Sequence, residues 1–394
     1  MFAVLTTARK VPGLIAIVFS VLWLAACQPV SMSGTGGSGQ AVSRDGPVPV
    51  ALLVPHGSAV PQEQKLARDL ENAARLAASD LSGTSIDLRV YGTAGNPAQA
   101  QTAAKNAVAD GAEIIIGPLH AESANAVSVA VANDGVNVLA FSNNPTIAGG
   151  NLFILGQTFN DTADRLAEYA VRQGKSRVMT VYSDNLSGRL GKQAIEQALM
   201  QNGATPAGSV GYQFSQDGVV TAISQIKNTA DQNGADAIFL TANTAGALPL
   251  FSQMLPEAGL RPDKIQYMGL SRWDTPPQTL ELPGVQGGWF TMPNPQRSAQ
   301  FRGRFEAAYG ARPHELAGLA YDGIAAVGAL TQSGRADALS RASLMQSAGF
   351  QGVNGVFRFG PDNTTDRGLA VATVRNNQVV VIDPAPQGFG GAGF

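Results

Sequence analysis

The chain has 394 residues, with 27 Lys and Arg against 29 Asp and Glu for a formal net charge of −2. That length exceeds one ordinary hydrophobic core and predicts two domains, while the charge balance excludes the basic footprint of a nucleic-acid or anionic-membrane binder. One Cys excludes an intrachain disulfide and a thiolate metal cluster, and three His scattered over different elements argue against a His-based metal site; no cofactor is implied.

Arg9 and Lys10 precede an apolar run, 11–26, that ends Leu24-Ala25-Ala26-Cys27. A basic start, an apolar centre and small residues before a cleavage point predict a secretory signal over 1–26. The run is shorter than the roughly 20 residues that span a bilayer. Leu24-Ala25-Ala26-Cys27 resembles a bacterial lipobox, in which Cys27 is diacylated and becomes the mature N-terminus. Two or more acyl chains, at about 0.8 kcal/mol per buried CH₂, make a stable anchor. Gln28 rather than Asp follows; by resemblance to Gram-negative lipoproteins, this implies the outer membrane, facing the periplasm. Residues 27–47, rich in Gly and Ser, read as a flexible tether.

The body alternates. A strand over 48–54 is followed by a helix over 62–81 with Leu66, Leu70, Ala73, Ala74 and Ala77 on one face. A strand at 86–91 leads to Asn96-Pro97, which opens a helix over 98–110 closed by Gly111. Residues 112–146 then read as strand, tight turn, helix, strand and polar turn. Glu113-Ile114-Ile115-Ile116 is stopped by Gly117-Pro118, 119–133 carries apolar residues at helical spacing, and 136–141 ends in Ser142-Asn143-Asn144-Pro145-Thr146. In an open α/β sheet, ligands sit outside the carboxyl ends of the strands. This unit is therefore predicted to form half of a cleft.

After a strand at 152–155, a second series begins. Helices are predicted over 162–173, 189–201, 218–231 and up to about 258. Strands are predicted at 177–182, 208–214, 236–240 and 265–268, each ending in a polar loop (183–188, 241–244 and 269–274 among them). Beyond Gly287-Gly288-Trp289-Phe290 the pattern turns helical, over 298–309, 315–332 and 336–348. It then returns to strands at 355–359, 368–374 and 379–382, with Asn376-Asn377 as a hairpin turn. Residues 384–394 read as a Pro/Gly tail without core-forming content. The fold class is α/β, with two doubly wound parallel-sheet lobes.

Several stretches together resemble the type I periplasmic binding fold, in its leucine/isoleucine/valine-binding branch. They are Ala51-Leu52-Leu53-Val54-Pro55, Ile115-Ile116-Gly117-Pro118-Leu119, Gly135-Val136-Asn137-Val138-Leu139, Leu319-Ala320-Tyr321-Asp322-Gly323 and Gly352-Val353-Asn354-Gly355-Val356-Phe357-Arg358-Phe359. The resemblance spans about 48–383. It implies lobes joined by a three-strand hinge: 48–156 plus 293–350 as lobe 1, and 157–292 plus 351–383 as lobe 2. Ser271-Arg272-Trp273-Asp274-Thr275-Pro276 with Gly287-Gly288-Trp289-Phe290 is similar to the lipoprotein branch of penicillin-binding-protein activators.

Carried over position by position, the family's ligand grip falls on Leu119, His120, Ser142 and Asn144 in lobe 1. In lobe 2 it falls on Ser187, Asn243 and Ser271. Ser187 stands where an aromatic is usual before Gly188, and 241–244 holds no acid to meet an ammonium, a role left to Asp184 or Asp274. Trp273, flanked by Arg272 and Asp274 in a strand-end loop, is expected to line the cleft. His120 reads equally as a ligand contact or as a helix-start surface residue, and Tyr321-Asp322 as an interlobe brace.

No Gly-x-Ser-x-Gly elbow lies between a strand and a helix, and Gly174-Lys175-Ser176 precedes a strand rather than a helix, so no enzyme signature emerges. Two functions remain open. One is a lipid-anchored receptor that closes on a small polar ligand, amino-acid-like or cell-wall-derived, and is recognised by an ABC permease. The other is an outer-membrane activator that touches a peptidoglycan synthase.

Overall fold

The computed structural model describes residues 46–389, so the predicted signal, Cys27 and nearly all of the tether lie outside the described residues. Strands β1 (Val48–Val54), β2 (Ile86–Gly92), β3 (Ile114–Ile116), β4 (Asn137–Ala140) and β5 (Leu152–Ile154) form a parallel sheet in the order β2-β1-β3-β4-β5. Helices α1 (Pro61–Asp80), α2 (Pro97–Ala109) and α3 (Ala121–Ala130) connect them. The central strands are apolar on alternate residues of both faces because both faces are covered. Leu52, Ile114 and Ile116 pack with Leu66 and Leu70 of α1. Leu53 and Ile115 pack with Ala100 and Ala104 of α2 on the other side.

The second lobe repeats the plan. Helices α4 (Phe159–Arg172), α5 (Leu186–Gln201), α6 (Gln216–Asn233) and α7 (Leu248–Glu257) alternate with β6 (Arg177–Ser183), β7 (Thr205–Tyr212), β8 (Ala237–Leu240), β9 (Gln266–Gly269) and β10 (Trp289–Met292). These five strands are parallel. The chain then goes back to the first lobe through α8 (Pro295–Tyr309), α9 (Ala317–Thr331) and the short α10 (Arg341–Leu344). A small antiparallel sheet follows, β11 (Phe350–Gly352), β12 (Gly355–Phe359) and β13 (Thr365–Arg367). Finally β14 (Ala370–Arg375) and β15 (Gln378–Asp383) join the second sheet antiparallel, in the order β15-β14-β10-β9-β8-β6-β7. Asn376 and Asn377, both at positive φ, make the turn between them.

Three passages therefore connect the lobes: 155–158, 293–294 and 368–369. The last lies later than the expected passage near 350–352. Its cause is aromatic: Phe350, Phe357 and Phe359 are buried in the first lobe's core, with ring centroids of Phe350 and Phe357 5.4 Å apart, and hold the chain there up to Gly368. The helix expected over 336–348 shrinks to one turn because Ser340 caps it, its Oγ accepting from Ser343 N at 3.3 Å. The segment expected as a bare tail is partly packed: Ala385 is buried and the Phe389 ring lies 4.5 Å from the Arg358 guanidinium.

Trp273 does not line a cleft. It has no exposed surface, its ring lies 6.1 Å from that of Phe290, and it belongs to the second lobe's core. A Cβ at Gly269 or Gly288 would come within 2.3 Å of the indole, so both neighbours must lack one. The polar flanks that suggested a cleft position belong to Arg272 and Asp274, which turn the other way.

Two substitutions test this packing. Phe357→Ala lowers the free energy of unfolding by about 3–5 kcal/mol in denaturant titration; a loss below about 1 kcal/mol would contradict its place in the first core. Trp273→Ala has a cost of the same order but leaves the affinity for any cleft ligand within twofold in calorimetry, whereas a cleft-lining indole would show the reverse.

Candidate functional site

A cavity of about 1080 Å³ opens outside the carboxyl ends of β3 and β4. Its lobe-1 wall comes from the two loops that end those strands. Leu119, His120, Ser142 and Asn144 all line it, with Asn143 and Phe141. Each is held by its own loop. Ser142 is buried and its Oγ accepts from Asn144 N at 3.1 Å, while Asn144 Oδ1 accepts from Thr146 N at 3.0 Å. His120 Nε2 lies 3.0 Å from Glu63 Oε1 of α1, and Ser58 Oγ donates to Glu63 Oε2 at 2.6 Å. Glu63 thus fixes the imidazole at the edge of the cavity.

The lobe-2 wall differs from expectation. Asp184, Ser187, Asn243, Ser271 and Trp273 are not among the lining residues. Asp184 is exposed and pairs with Arg189 at 2.9 Å; Ser187 and Asn243 are exposed; Ser271 Oγ donates to Ala242 O at 3.2 Å. In their place stand Arg272, Asp274, Thr275 and Pro277 from the loop after β9. Arg272 grips Asp274 by two bonds, Nε to Oδ1 at 2.9 Å and Nη2 to Oδ2 at 2.5 Å. Burial opposes the charge of Arg272, but Asp274 and Glu315 outweigh it and hold the guanidinium above its ordinary pKa. Since Asp274 is committed to this pair, it is not free to meet an ammonium.

Residues that the motif comparison did not single out complete the wall. Arg302 of α8 and Glu315, just before α9, both line the cavity. Arg302 is exposed and has no ion pair among the described residues. Glu315 Oε1 accepts from Thr275 Oγ1 at 3.2 Å, a bond from one lobe to the other. The other charged groups around the cavity are matched: Arg272 by Asp274, Arg312 by Glu306 at 2.9 Å, and Arg367 by Asp322 at 3.1 Å. Among the described residues the cavity therefore offers one cation, Arg302, without an ion pair, and one carboxylate, Glu315, that acts on Arg272 electrostatically but forms no ion pair of its own. Their signal in the sequence was weak, because both lie in the helical stretch that fills out lobe 1 and not at a strand end.

The hinge forms the floor. Gly156, Gln157, Met292, Pro293, Arg367 and Leu369, from all three passages, line the same cavity. Arg367 Nη1 donates to Asp322 Oδ2 at 3.1 Å and Nη2 to Leu155 O at 2.6 Å, while its backbone N–H donates to Asp161 Oδ1 at 3.1 Å. Asp322 Oδ1 accepts from Val353 N at 2.8 Å. A Cβ at Gly352 would lie 2.5 Å from that carboxylate, which accounts for glycine there. Asp161 Oδ2 accepts from Thr158 N at 2.6 Å and Thr158 Oγ1 at 2.9 Å, closing a capping box at the start of α4.

A model of the periplasmic binding protein family matches residues 47–378. Among curated proteins, none matches the sequence significantly. Solved structures do. One is a protein of Rhodospirillum rubrum assigned to a branched-chain amino acid ABC transporter, with a TM-score of 0.73 at 19% identity over 85% of this chain and 100% of the other. An ABC transporter substrate-binding protein of Desulfitobacterium hafniense in complex with leucine gives a TM-score of 0.62 at 18% identity over 85% and 99%. A solute-binding protein of R. palustris in complex with benzoate gives 0.57 at 16% identity over 87% and 97%. At these identities the structures establish a shared fold, and the match over most of the sequence establishes the family: this chain belongs to the periplasmic binding proteins.

Proposed function

We propose that this chain is a non-enzymatic solute receptor of the cell envelope, anchored through lipid on Cys27 and facing the periplasm. Its interlobe cleft takes a small polar ligand carrying both a carboxylate and a cationic group, amino-acid-like or cell-wall-derived. The observation that carries this reading is the charge inventory of the cavity. Arg302 has no ion pair among the described residues, Glu315 accepts from a Thr275 hydroxyl and has no ion pair of its own there, and Arg272, Arg312 and Arg367 each have their own carboxylate. A zwitterion neutralises both at once, whereas a neutral apolar ligand leaves both unpaired. The buried Ser142 and the neighbouring loop add short polar contacts at the strand ends. A ligand that touches both walls binds the closed arrangement better than the open one and shifts the population by that difference.

A second reading draws on a different surface. Leu186 and Phe214, 68% and 63% exposed, stand at the carboxyl ends of β6 and β7, beside the exposed Asp184, Ser187 and Asn243. Apolar groups left uncovered there suit contact with a protein, such as a peptidoglycan synthase approached from an outer-membrane anchor.

Thermal-shift screening of the mature chain separates the two. The receptor reading expects a saturable rise with an amino acid or cell-wall fragment, about 2.7 kcal/mol of stabilisation at 100 times Kd. It also expects loss of most of that rise in Arg302→Ala and Glu315→Gln. No shift across the panel, with capture of a peptidoglycan synthase that fails on Phe214→Ser, would overturn it.

A further inference from the structure

Three ionisable side chains are buried together where the lobes join. Asp322 has no exposed surface, and Arg367 and Asp161 retain only 6% and 7%. Asp322 comes from α9 of lobe 1, Arg367 from the last residue of β13 before the third passage, and Asp161 from the first turn of α4 just after the first passage. Two carboxyls thus meet one arginine, and they meet it unequally. Asp322 receives Nη1 directly, while Asp161 meets Arg367 only through the backbone N–H. An enclosed carboxylate without its own counter-cation is strongly unfavourable, and a proton is the simplest remedy. Against this stand three hydrogen bonds and the N-terminus of α4, which favour the ionised form and fasten it in place.

We propose that Asp161 is a proton-operated joint of the hinge. Ionised, it ties the start of α4 to Arg367 and fixes the angle between the lobes; protonated, it loosens that tie. The proposal rests on the reading of the cleft as a site that opens and closes, but not on the identity of its ligand. Burial pushes the Asp161 carboxyl up to about 7, opposed by the Thr158 and Arg367 groups and reinforced by Asp366. The proton therefore arrives as pH falls through that value, and the tie is at full strength above it. Burial also pushes the Asp322 carboxyl up, opposed by Arg367 and the Val353 N–H, and the Asp161→Asn variant separates the two carboxyls; the remaining charges facing the joint are bonded elsewhere. Arg297 of α8 donates to Gly352 O at 3.4 Å, Asp366 pairs with Arg358 at 2.7 Å, and Arg165 of α4 bonds Leu369 O, Glu168 and Asp383.

The test needs no ligand. Spin labels at Lys105→Cys on α2 and Gln193→Cys on α5 report the interlobe distance in the mature chain by pulsed electron resonance, from pH 5.5 to 8.5. The expected result is a narrow distribution at high pH that broadens as pH falls through about 7. In Asp161→Asn, which keeps the size of the side chain and all three His, the width should not change with pH. Thr158→Val, which removes the hydroxyl that donates to Asp161 Oδ2 and so favours its ionised form, should broaden at a higher pH than the wild type. This last variant reads the joint even if the Asn variant does not fold. A wild-type width constant across the range, an Asn variant that follows the wild type, or a Thr158→Val variant that broadens at the same pH as the wild type would each overturn the proposal. Failure of ligand binding alone would leave these outcomes unaffected.

Discussion

One arginine ties together the first and third passages of the hinge that joins the two lobes. The Arg367 guanidinium donates to the carbonyl of Leu155 at the first passage and to the carboxylate of Asp322 on the helix that closes lobe 1, and the Arg367 backbone N–H donates to Asp161 at the start of lobe 2. Its ring partner is Phe357, 4.9 Å from the centroid, which belongs to the lobe-1 core. A buried charge pair of this kind adds little net stability, because desolvation consumes most of the attraction, yet removing one partner typically costs about 3–5 kcal/mol. Its value lies in geometry. Hydrogen bonds with fixed directions hold the first and third passages in one arrangement, where apolar packing alone would allow sliding.

The cleft follows from that arrangement. Parallel strands with crossover helices present their carboxyl ends on one side, and the hinge sets those ends of lobe 1 against the loop after β9. The walls are unequal. Lobe 1 contributes two strand-end loops plus Arg302 and Glu315 from its returning helices, while lobe 2 contributes chiefly the loop at 272–277. The Thr275–Glu315 bond is a direct contact between the walls. Ligand charge enters the same electrostatic field as the hinge, since Arg367 lines the cavity floor.

Much of the fold was legible in the sequence because its signals are local. Apolar runs stopped by glycine or proline, as at 113–118, and helical spacing, as in 66–77, need no tertiary context. The lobe-1 wall was legible for the same reason: a strand-end loop announces itself by its polar residues, and Leu119, His120, Ser142 and Asn144 do stand at the cavity. What escaped depends on long-range packing. Trp273 looked like a cleft residue from its neighbours, but the space left by Gly269 and Gly288 draws it inward. Arg302 and Glu315 sit on segments whose period says only helix, and no sequence pattern brings them to the strand ends. The β11–β13 sheet was read as part of lobe 2 because strand spacing does not tell which core takes Phe350, Phe357 and Phe359.

The central claim is that the cleft holds one small zwitterionic solute. Native mass spectrometry of the chain isolated intact from the cell envelope tests it most directly. The account predicts a one-to-one complex that releases a single low-mass species with both acidic and basic groups when the protein is unfolded, and that is lost in Glu315→Gln. A folded protein that carries no such species, and that instead travels with a peptidoglycan synthase, would contradict it.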